Sequence, residues 1–556
     1  MFSLCLQVHA FSQGVIGMTE VLGRPTAHSV AIRALFDQRV QVYFQFGISA
    51  GVYSSSTAVQ TSVIGEPVEM VFDSLQPNRR YYYRTVYKKP ANVTFLFGEE
   101  HMFHTQRAPG SKFAFTIEAD PHPYDKKGSH TLWDIAMQNQ LKDSADFLLD
   151  LGDTFGDDHT PFTITSNEIR QLHLDCLPHF GMVCHSSPLI LCLGNHEGES
   201  GYYLLQTPPD NLGVYGTLWR KFYYPNPVPD GFYSGNTAVE GFGMGVPGNY
   251  FAWEWGDALF VVLDAYRYYT TSAKPRDWEW TLGKAQYDWL KQTLENSKAK
   301  FKFVFAHHTL GETRGGAITA RLYEWGGYEA DGLTWGFSAS RPGWAMPIHQ
   351  LMVANGVNAY FQGHDHLFAK EVVDGIVYQE VPMPSDSTYI IGVRDNGDAY
   401  TDLKIDGAGH LRVTVSASEA TVDYVRAWLP ADETVQRTNR EVAYSYKMLP
   451  TATSVESGTS VPYTFALEQN FPNPFNPITT IGYSVPGVGG QGARVGDVRL
   501  AVYDMLGREV AVLVNEARQA GSHEVRWDAS ALSSGVYYCR LTAGDRVETR
   551  MMTLLK

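Results

Sequence analysis

Five stretches of the chain run apolar over a short span and then break at a polar side chain: FAFTIEA before Asp120 and His122, FLLDLG before Asp153, LILCLG before Asn195 and His196, FKFVFA before His307 and His308, and NAYFQG before His364 and His366. A short, uninterrupted apolar run reads as a buried strand. Helix-period stretches separate the runs, among them TLWDIAMQNQLKDS and GKAQYDWLKQTLENSKA; in the second, Tyr287, Leu290 and Leu294 fall on one face. Strands alternating with helices predict a layered α/β core over residues 109–448, closed by the β-patterned tract GHLRVTVSASEATVDYVRAWL.

The pattern changes on either side of this core. Residues 18–108 alternate with period two in SVAIRALF, VQVYFQFG and RRYYYRTVY, which predicts a small β-sandwich of immunoglobulin type. Residues 449–463 are rich in Ser, Thr and Pro and read as a linker. Residues 464–556 return to short strands and turns and predict a second β-sandwich. Residues 1–17 have some apolar character but no Lys or Arg in front of it, so they read either as no signal segment or as the remnant of a clipped one. The pentapeptide GISAG around Ser49 matches a nucleophile-elbow pattern, but a β-rich, Ser/Thr-rich stretch follows where a helix is required, so Ser49 reads as a hairpin residue.

Composition narrows the class. At 556 residues the chain is too long for one ordinary domain. A net charge of -15 argues against a phosphate-backbone-binding surface, which needs clustered Lys and Arg. The 5 cysteines are scattered and make no disulfide framework; a Cys176–Cys184 pair is open, and Cys192 reads as a small buried hydrophobe. No apolar run is long enough for a transmembrane helix.

The residues that end the runs share a chemistry. Divalent Mn, Fe or Zn takes imidazole nitrogen and carboxylate oxygen. Asp120 and His122 are two apart, as are His364 and His366, so each pair can turn toward one ion past a strand end. Asp153 is a lone carboxylate able to bridge two ions, Asn195 offers a neutral oxygen, and His307 adds a nitrogen. In open α/β sheets ligands collect at the carboxyl ends of strands. Two ions about 3.5–4 Å apart clamp the attacking and leaving oxygens of an in-line displacement and acidify bound water.

The series ADPH, LGDTFGD, LGNHEG, FAHHTLG and QGHDHLF resembles the calcineurin-like metallophosphoesterase superfamily, and the stretch from GRPTAHSVAIRALF to LQPNRRYYYRTVY resembles the fibronectin-like domain that precedes the catalytic domain of purple acid phosphatases. The resemblance implies an α/β four-layer sandwich, two mixed β-sheets flanked by helices, inside a multidomain chain with an N-terminal and a C-terminal β-sandwich. It implies one ion held by Asp120, His122, Asp153 and His366, and a second held by Asp153, Asn195, His307 and His364, with Asp153 bridging. It gives His196 the role of assisting the leaving group, and it favours His307 over His308 from the position of Thr309. Gly156 stands where purple acid phosphatases carry an iron-binding Tyr, so a purple tyrosinate site is not expected. Asp264 is a candidate orienter of a ligand histidine. His159, Arg267, Arg314, Tyr323 and His349 are candidates to line the pocket, and the stretch 202–232, rich in aromatics, Pro and Gly, is a candidate lid.

The last segment, with LEQNFPNPFNPITTIGYSVP, VRLAVYDMLGREVAVLV and GVYYCRLTAG, resembles the C-terminal sorting domain of the type IX secretion system. That implies the type IX machinery as a partner and a secreted or cell-surface location. The expectation is a secreted phosphohydrolase with two divalent metal ions that cleaves phosphate esters by in-line attack of a metal-bound hydroxide, monoesters favoured. The alternatives are a phosphodiesterase or pyrophosphatase on the same centre, or a surface binding protein with a relic metallophosphoesterase fold.

Overall fold

The computed structural model describes residues 16–123, 128–155, 164–269, 274–311, 313–391, 399–451, 465–467, 470, 473–485, 494–519, 521–544 and 546–556. Most of residues 1–17 and of the 449–463 stretch, and the positions Gly156 and His159, lie outside them. The chain forms two compact units, Met1–Ala452 and Thr453–Lys556.

Two large sheets build the first unit. One has nine strands in the order Val442–Met448, Ala420–Arg426, Gly409–Val415, Phe113–Glu118, Leu148–Asp150, Leu189–Leu191, Met18–Gly23, Val30–Phe36 and Val68–Phe72. The other has eight, and at its centre Ala258–Val262, Phe301–Phe305, Ala359–Gln362 and Ile376–Glu380 run parallel. Phe115, Ile117, Leu149 and Val413 of the first sheet share a core with Phe260, Phe303, Phe305 and Phe361 of the second. On the outer side of the first sheet, Trp133, Met137, Cys176 and Phe180 of helices His130–Asp143 and Ser166–Cys184 cover Leu148, Leu189 and Leu191. Against the second, Tyr287, Leu290 and Leu294 of helix Lys284–Asn296 and Leu351 of helix Ile348–Ala354 cover Leu259, Val261 and Val304. A strand with a core on both faces has no polar side to present, which is why these strands read as continuous apolar runs.

Two segments depart from the sequence expectation. Within the aromatic stretch 202–232, Leu212–Tyr223 is a helix capped by Asn211, whose side chain accepts the Val214 N–H at 2.9 Å. The N-terminal strands are not a free-standing module. Met18–Gly23 pairs in parallel with Leu189–Leu191 through Gly23 and Leu189, so three N-terminal strands extend the nine-stranded sheet. Gly23 allows this because a Cβ there would strike Pro225 and the Leu189 carbonyl. The Arg33 guanidinium fastens the junction by donating to the Tyr224 carbonyl at 2.8 Å, and the Tyr83 hydroxyl by donating to the His185 carbonyl at 2.7 Å. A second small sheet of strands within 41–104 covers the other face of this region. Ser49 sits in a tight turn bridged to Val52, exposed, with no helix following.

The second unit has a three-stranded and a four-stranded sheet around Ile481, Leu500, Trp527, Cys539 and Met552. Cys176, Cys184, Cys192 and Cys539 are buried thiols, so the open Cys176–Cys184 disulfide is not formed.

Candidate metal centre

Every apolar run leads into a loop that reaches one place. Strand Phe113–Glu118 ends just before Asp120, Leu148–Asp150 before Asp153, Leu189–Leu191 before Asn195, Phe301–Phe305 before His307 and Ala359–Gln362 before His364. Asp120, His122 and His366 form one group of possible ligand atoms; Asp153, His307 and His364 form another; His122, Asp153 and His196 form a third. The groups share members, so the site is one continuous cluster.

The backbone is bent to aim these side chains. Asp120 (φ 56°), His122 (φ 36°), Asp153 (φ 60°), His364 (φ 80°) and His366 (φ 64°) all adopt the left-handed region. Non-glycine residues rarely occupy it, and strained positions cluster at functional sites. Each carboxylate has one oxygen fixed and one presented. Asp120 Oδ2 accepts the His364 N–H at 2.7 Å, and its Oδ1 lies 3.4 Å from His366 Nε2 and 3.8 Å from both His122 Nε2 and His307 Nε2. Asp153 Oδ1 accepts the His196 N–H at 2.8 Å, and its Oδ2 lies 3.1 Å from His307 Nε2, 3.6 Å from His122 Nε2 and 3.9 Å from His196 Nε2. Glycines make the approach feasible: a Cβ on Gly194 would collide with the Asp153 carboxylate, and one on Gly363 with that of Asp120.

Electrostatics follow from burial and proximity. Burial alone would raise the Asp153 carboxyl, but His307 and His196 outweigh it and hold it well below the usual carboxylate range. Burial opposes protonation of His307, yet Asp153 and Asp120 push it up to about 9. Burial brings His122 down to about 4. These are the protonation demands of a compact cluster of negative oxygens and ring nitrogens without an ion, and a cation would satisfy them differently. The donor set fits divalent metal on a separate ground. Among the described residues Asp120 Oδ1, Asn195 Oδ1 and His364 Nε2 are buried and have no hydrogen-bond partner, an arrangement that is costly unless something accepts their lone pairs.

His307 and His308 part company here. His307 Nδ1 meets the Leu151 carbonyl at 2.9 Å, which leaves Nε2 facing Asp153. His308 turns away: its Nε2 meets the Gly315 carbonyl at 3.1 Å and its Nδ1 accepts the Leu310 N–H at 3.3 Å.

The outer candidates distribute differently from the sequence expectation. Asp264 does not orient a histidine; it accepts from Asn249 Nδ2 at 2.6 Å and from the Tyr266 N–H at 2.8 Å, while the His307 ring is set by a backbone carbonyl. Arg267 is buried in ion pairs with Glu199 and Glu240 instead of lining a pocket. Tyr323 is bonded to Asp277, and His349 is held between the Tyr378 hydroxyl at 2.7 Å and Asp374 at 2.9 Å. Arg314 remains beside the cluster, its Nη1 donating to the His364 carbonyl at 2.6 Å.

Glu197 is the residue sequence reasoning passed over. Its buried carboxylate accepts the N–H groups of Asp153 at 2.9 Å and Thr154 at 2.7 Å, and also that of Gly194. It thereby staples the Asp153 loop to the Asn195–His196 loop. The available signal was a Glu between Gly194 and Gly198 in the loop that carries Asn195 and His196.

Residues 113–368 match the calcineurin-like phosphoesterase family model. Over that span the chain is similar to calcineurin-like phosphoesterases. All of the clustered side chains fall inside that match. Residues 469–554 match the secretion system C-terminal sorting domain, which marks the protein for type IX secretion to the cell surface or the extracellular space. Among the described residues no helix is long and apolar enough to cross a membrane. The phosphoesterase fold is shared with solved structures at low identity. The structure of PhoD aligns with a TM-score of 0.55 at 15% identity, covering 78% of this chain and 90% of PhoD. A purple acid phosphatase, PPD1 from yellow lupin (Lupinus luteus) seeds, aligns with a TM-score of 0.51 at 14% identity, covering 77% of this chain and 74% of that one. No curated protein matches the chain.

Proposed function

We propose that the protein is a secreted phosphohydrolase that uses two divalent ions (Mn, Fe or Zn) and favours phosphate monoesters. The observation that carries this reading is the trio of buried atoms Asp120 Oδ1, Asn195 Oδ1 and His364 Nε2, which have no partner among the described residues and lie in loops that converge on one cluster. Asp120, His122, Asp153 and His366 would hold one ion, and Asp153, Asn195, His307 and His364 would hold the other. Lewis acidity toward a phosphoryl group and toward water is what a pair of divalent ions supplies at such a site.

The chain's own groups do the rest. The His364 and His196 N–H groups fix one oxygen of each carboxylate, so the ligand atoms are pre-aimed and little reorganisation accompanies substrate binding. Glu197 keeps the two central loops in register. His196 is 17% exposed in its side chain, against 1% for Asp153, so it faces the open side of the cluster. From there its imidazole delivers a proton to the departing ester oxygen, a role that suits a side chain able both to hold and to release a proton. Residues 18–108 and 464–556 are read as β-sandwiches flanking this catalytic part, the first fibronectin-like.

The deciding experiment loads the purified full chain with Mn, Fe or Zn and supplies an aryl phosphate monoester and an aryl phosphate diester side by side. Monoester turnover that chelation abolishes is expected. Failure to hydrolyse either ester with both ions bound overturns the proposal, and a preference for the diester reassigns the substrate class.

A further inference from the structure

Arg314 sits on the loop between His308 and the helical segments that follow, and that loop is pinned against the His364 turn. The Gly315 N–H donates to Asp365 Oδ2 at 2.8 Å, the Gly315 carbonyl meets His308 Nε2 at 3.1 Å, and the Ala317 N–H donates to Glu371 at 2.8 Å. The backbone just after Arg314 is therefore held while its side chain stays 42% exposed. Among the described residues a single nitrogen makes its hydrogen bonds. Nη1 donates to the His364 carbonyl at 2.6 Å and to Asp365 Oδ1 at 3.2 Å.

A purely structural account leaves most of this group unused. Asp365 already receives the Tyr400 hydroxyl at 2.7 Å and the Gly315 N–H. Among the described residues Nε and Nη2 of Arg314 have no acceptor. These two nitrogens form the edge of a guanidinium that grips two oxygens of a phosphate side by side. The guanidinium lies next to a residue of the metal cluster through Nη1, close enough for its charge to bear on the His364 and His308 rings.

We infer that Arg314 binds substrate, taking two non-bridging phosphoryl oxygens on its Nε/Nη2 edge and so favouring the dianionic head of a monoester over the single charge of a diester. The inference rests on the phosphohydrolase reading for its substrate, but phosphate recognition by Arg314 is testable without turnover.

The test compares wild type, Arg314→Met and Arg314→Lys, all as metal-loaded full chains. Three readouts are taken: metal content, KM and kcat for aryl phosphate monoester and diester, and the Kd for inorganic phosphate by titration calorimetry. Losing a charge-assisted pair of hydrogen bonds predicts a rise in monoester KM and in phosphate Kd of about tenfold to hundredfold in Arg314→Met. Metal content is expected to stay at the wild-type level, the diester KM to rise less, and Arg314→Lys to recover part of the loss because it restores charge without the fork. Unchanged phosphate Kd overturns the inference. So does loss of metal with equal damage to both esters, which would make Arg314 a positioning residue for His364. If the wild type hydrolyses neither ester, it is the phosphohydrolase reading that fails, and the phosphate titration alone decides Arg314. A wild type that binds no phosphate overturns the inference as well.

Discussion

Two aspartates that end strands in different units show what separates a turn from a site. Asp504 follows strand Arg494–Tyr503 in the C-terminal unit, and Asp153 follows Leu148–Asp150 in the first. Asp504 spends its carboxylate on its own turn: Oδ1 accepts the N–H groups of Leu506 and Arg508, both at 2.9 Å, and Oδ2 pairs with Arg508 Nε at 2.7 Å. Asp153 gives one oxygen to the N–H of His196, 43 residues away, and presents the other to His307, His122 and His196. The same side chain after the same kind of element closes a hairpin in one place and joins loops from distant parts of the chain in the other. Burial and long-range partners make the difference, not residue type.

The hardest way to break that comparison is to remove Asp153. Asp153→Ala deletes the oxygen shared by three histidines, so metal is expected to be lost and turnover to fall by more than about 10³-fold. Metal analysis and ester hydrolysis on the same sample check this. Retained turnover with metal still bound would show that Asp153 is no bridge.

His196→Ala probes the open side of the same cluster and ranks next. Metals are expected to remain bound while kcat drops by about 10²–10⁴-fold, the range that general acid catalysis supplies. The loss should shrink for an ester whose leaving group needs no proton. A variant that loses metal instead would make His196 a ligand.

How much of this was legible in the chain follows from what each residue contacts. Asp120, Asp153, Asn195, His307 and His364 announce themselves because they interrupt apolar runs, and a doubly covered sheet forces those runs to be apolar. Glu197 does not, because its partners are backbone N–H groups that every residue supplies. Arg267 reads as a loop residue until Glu199 and Glu240 are seen to enclose it. The N-terminal strands read as a module of their own, since their attachment to the main sheet runs through one glycine pairing and a few hydrogen bonds to backbone carbonyls. Helix Ser166–Cys184 carries Pro178 in its interior, and its apolar residues are interleaved with Asn, Arg, Gln and His, so no clean stripe marks it.

Glu20 extends the comparison to a carboxyl buried with no cation beside it. It accepts from the Tyr83 hydroxyl at 3.0 Å and from Thr85, and His101, whose Nε2 lies 3.7 Å away, is itself brought down to about 4 by burial. Burial raises the Glu20 carboxyl to about 7 from 4.5, the opposite of Asp153. The sign follows: below about 4.5 both folded and unfolded chains hold the proton and the full stability is present; as pH climbs toward about 7 the unfolded chain ionises first and stability is lost. Glu20→Gln removes that loss. Its Tm is expected to exceed wild type by about 2–5 °C at pH 8 and to match it at pH 4. A gain of equal size at both pH values would assign the effect to packing instead of charge.

The smallest effect belongs to the aspartate that opened the comparison. Asp504→Ala removes the acceptor of two turn N–H groups, but these lie at the surface where water replaces the lost carboxylate. A Tm change within about 2 °C and no change in turnover are expected. The measurement matters because Asp153→Ala makes the same chemical cut after a strand end. If Asp504→Ala lowered turnover as well, the C-terminal unit would be contributing to the catalytic cluster, and separate uses for the two strand ends could not stand. Unaffected turnover beside the loss in Asp153→Ala isolates the cause: a carboxylate acts chemically only where the fold buries it among partners that its own turn cannot supply.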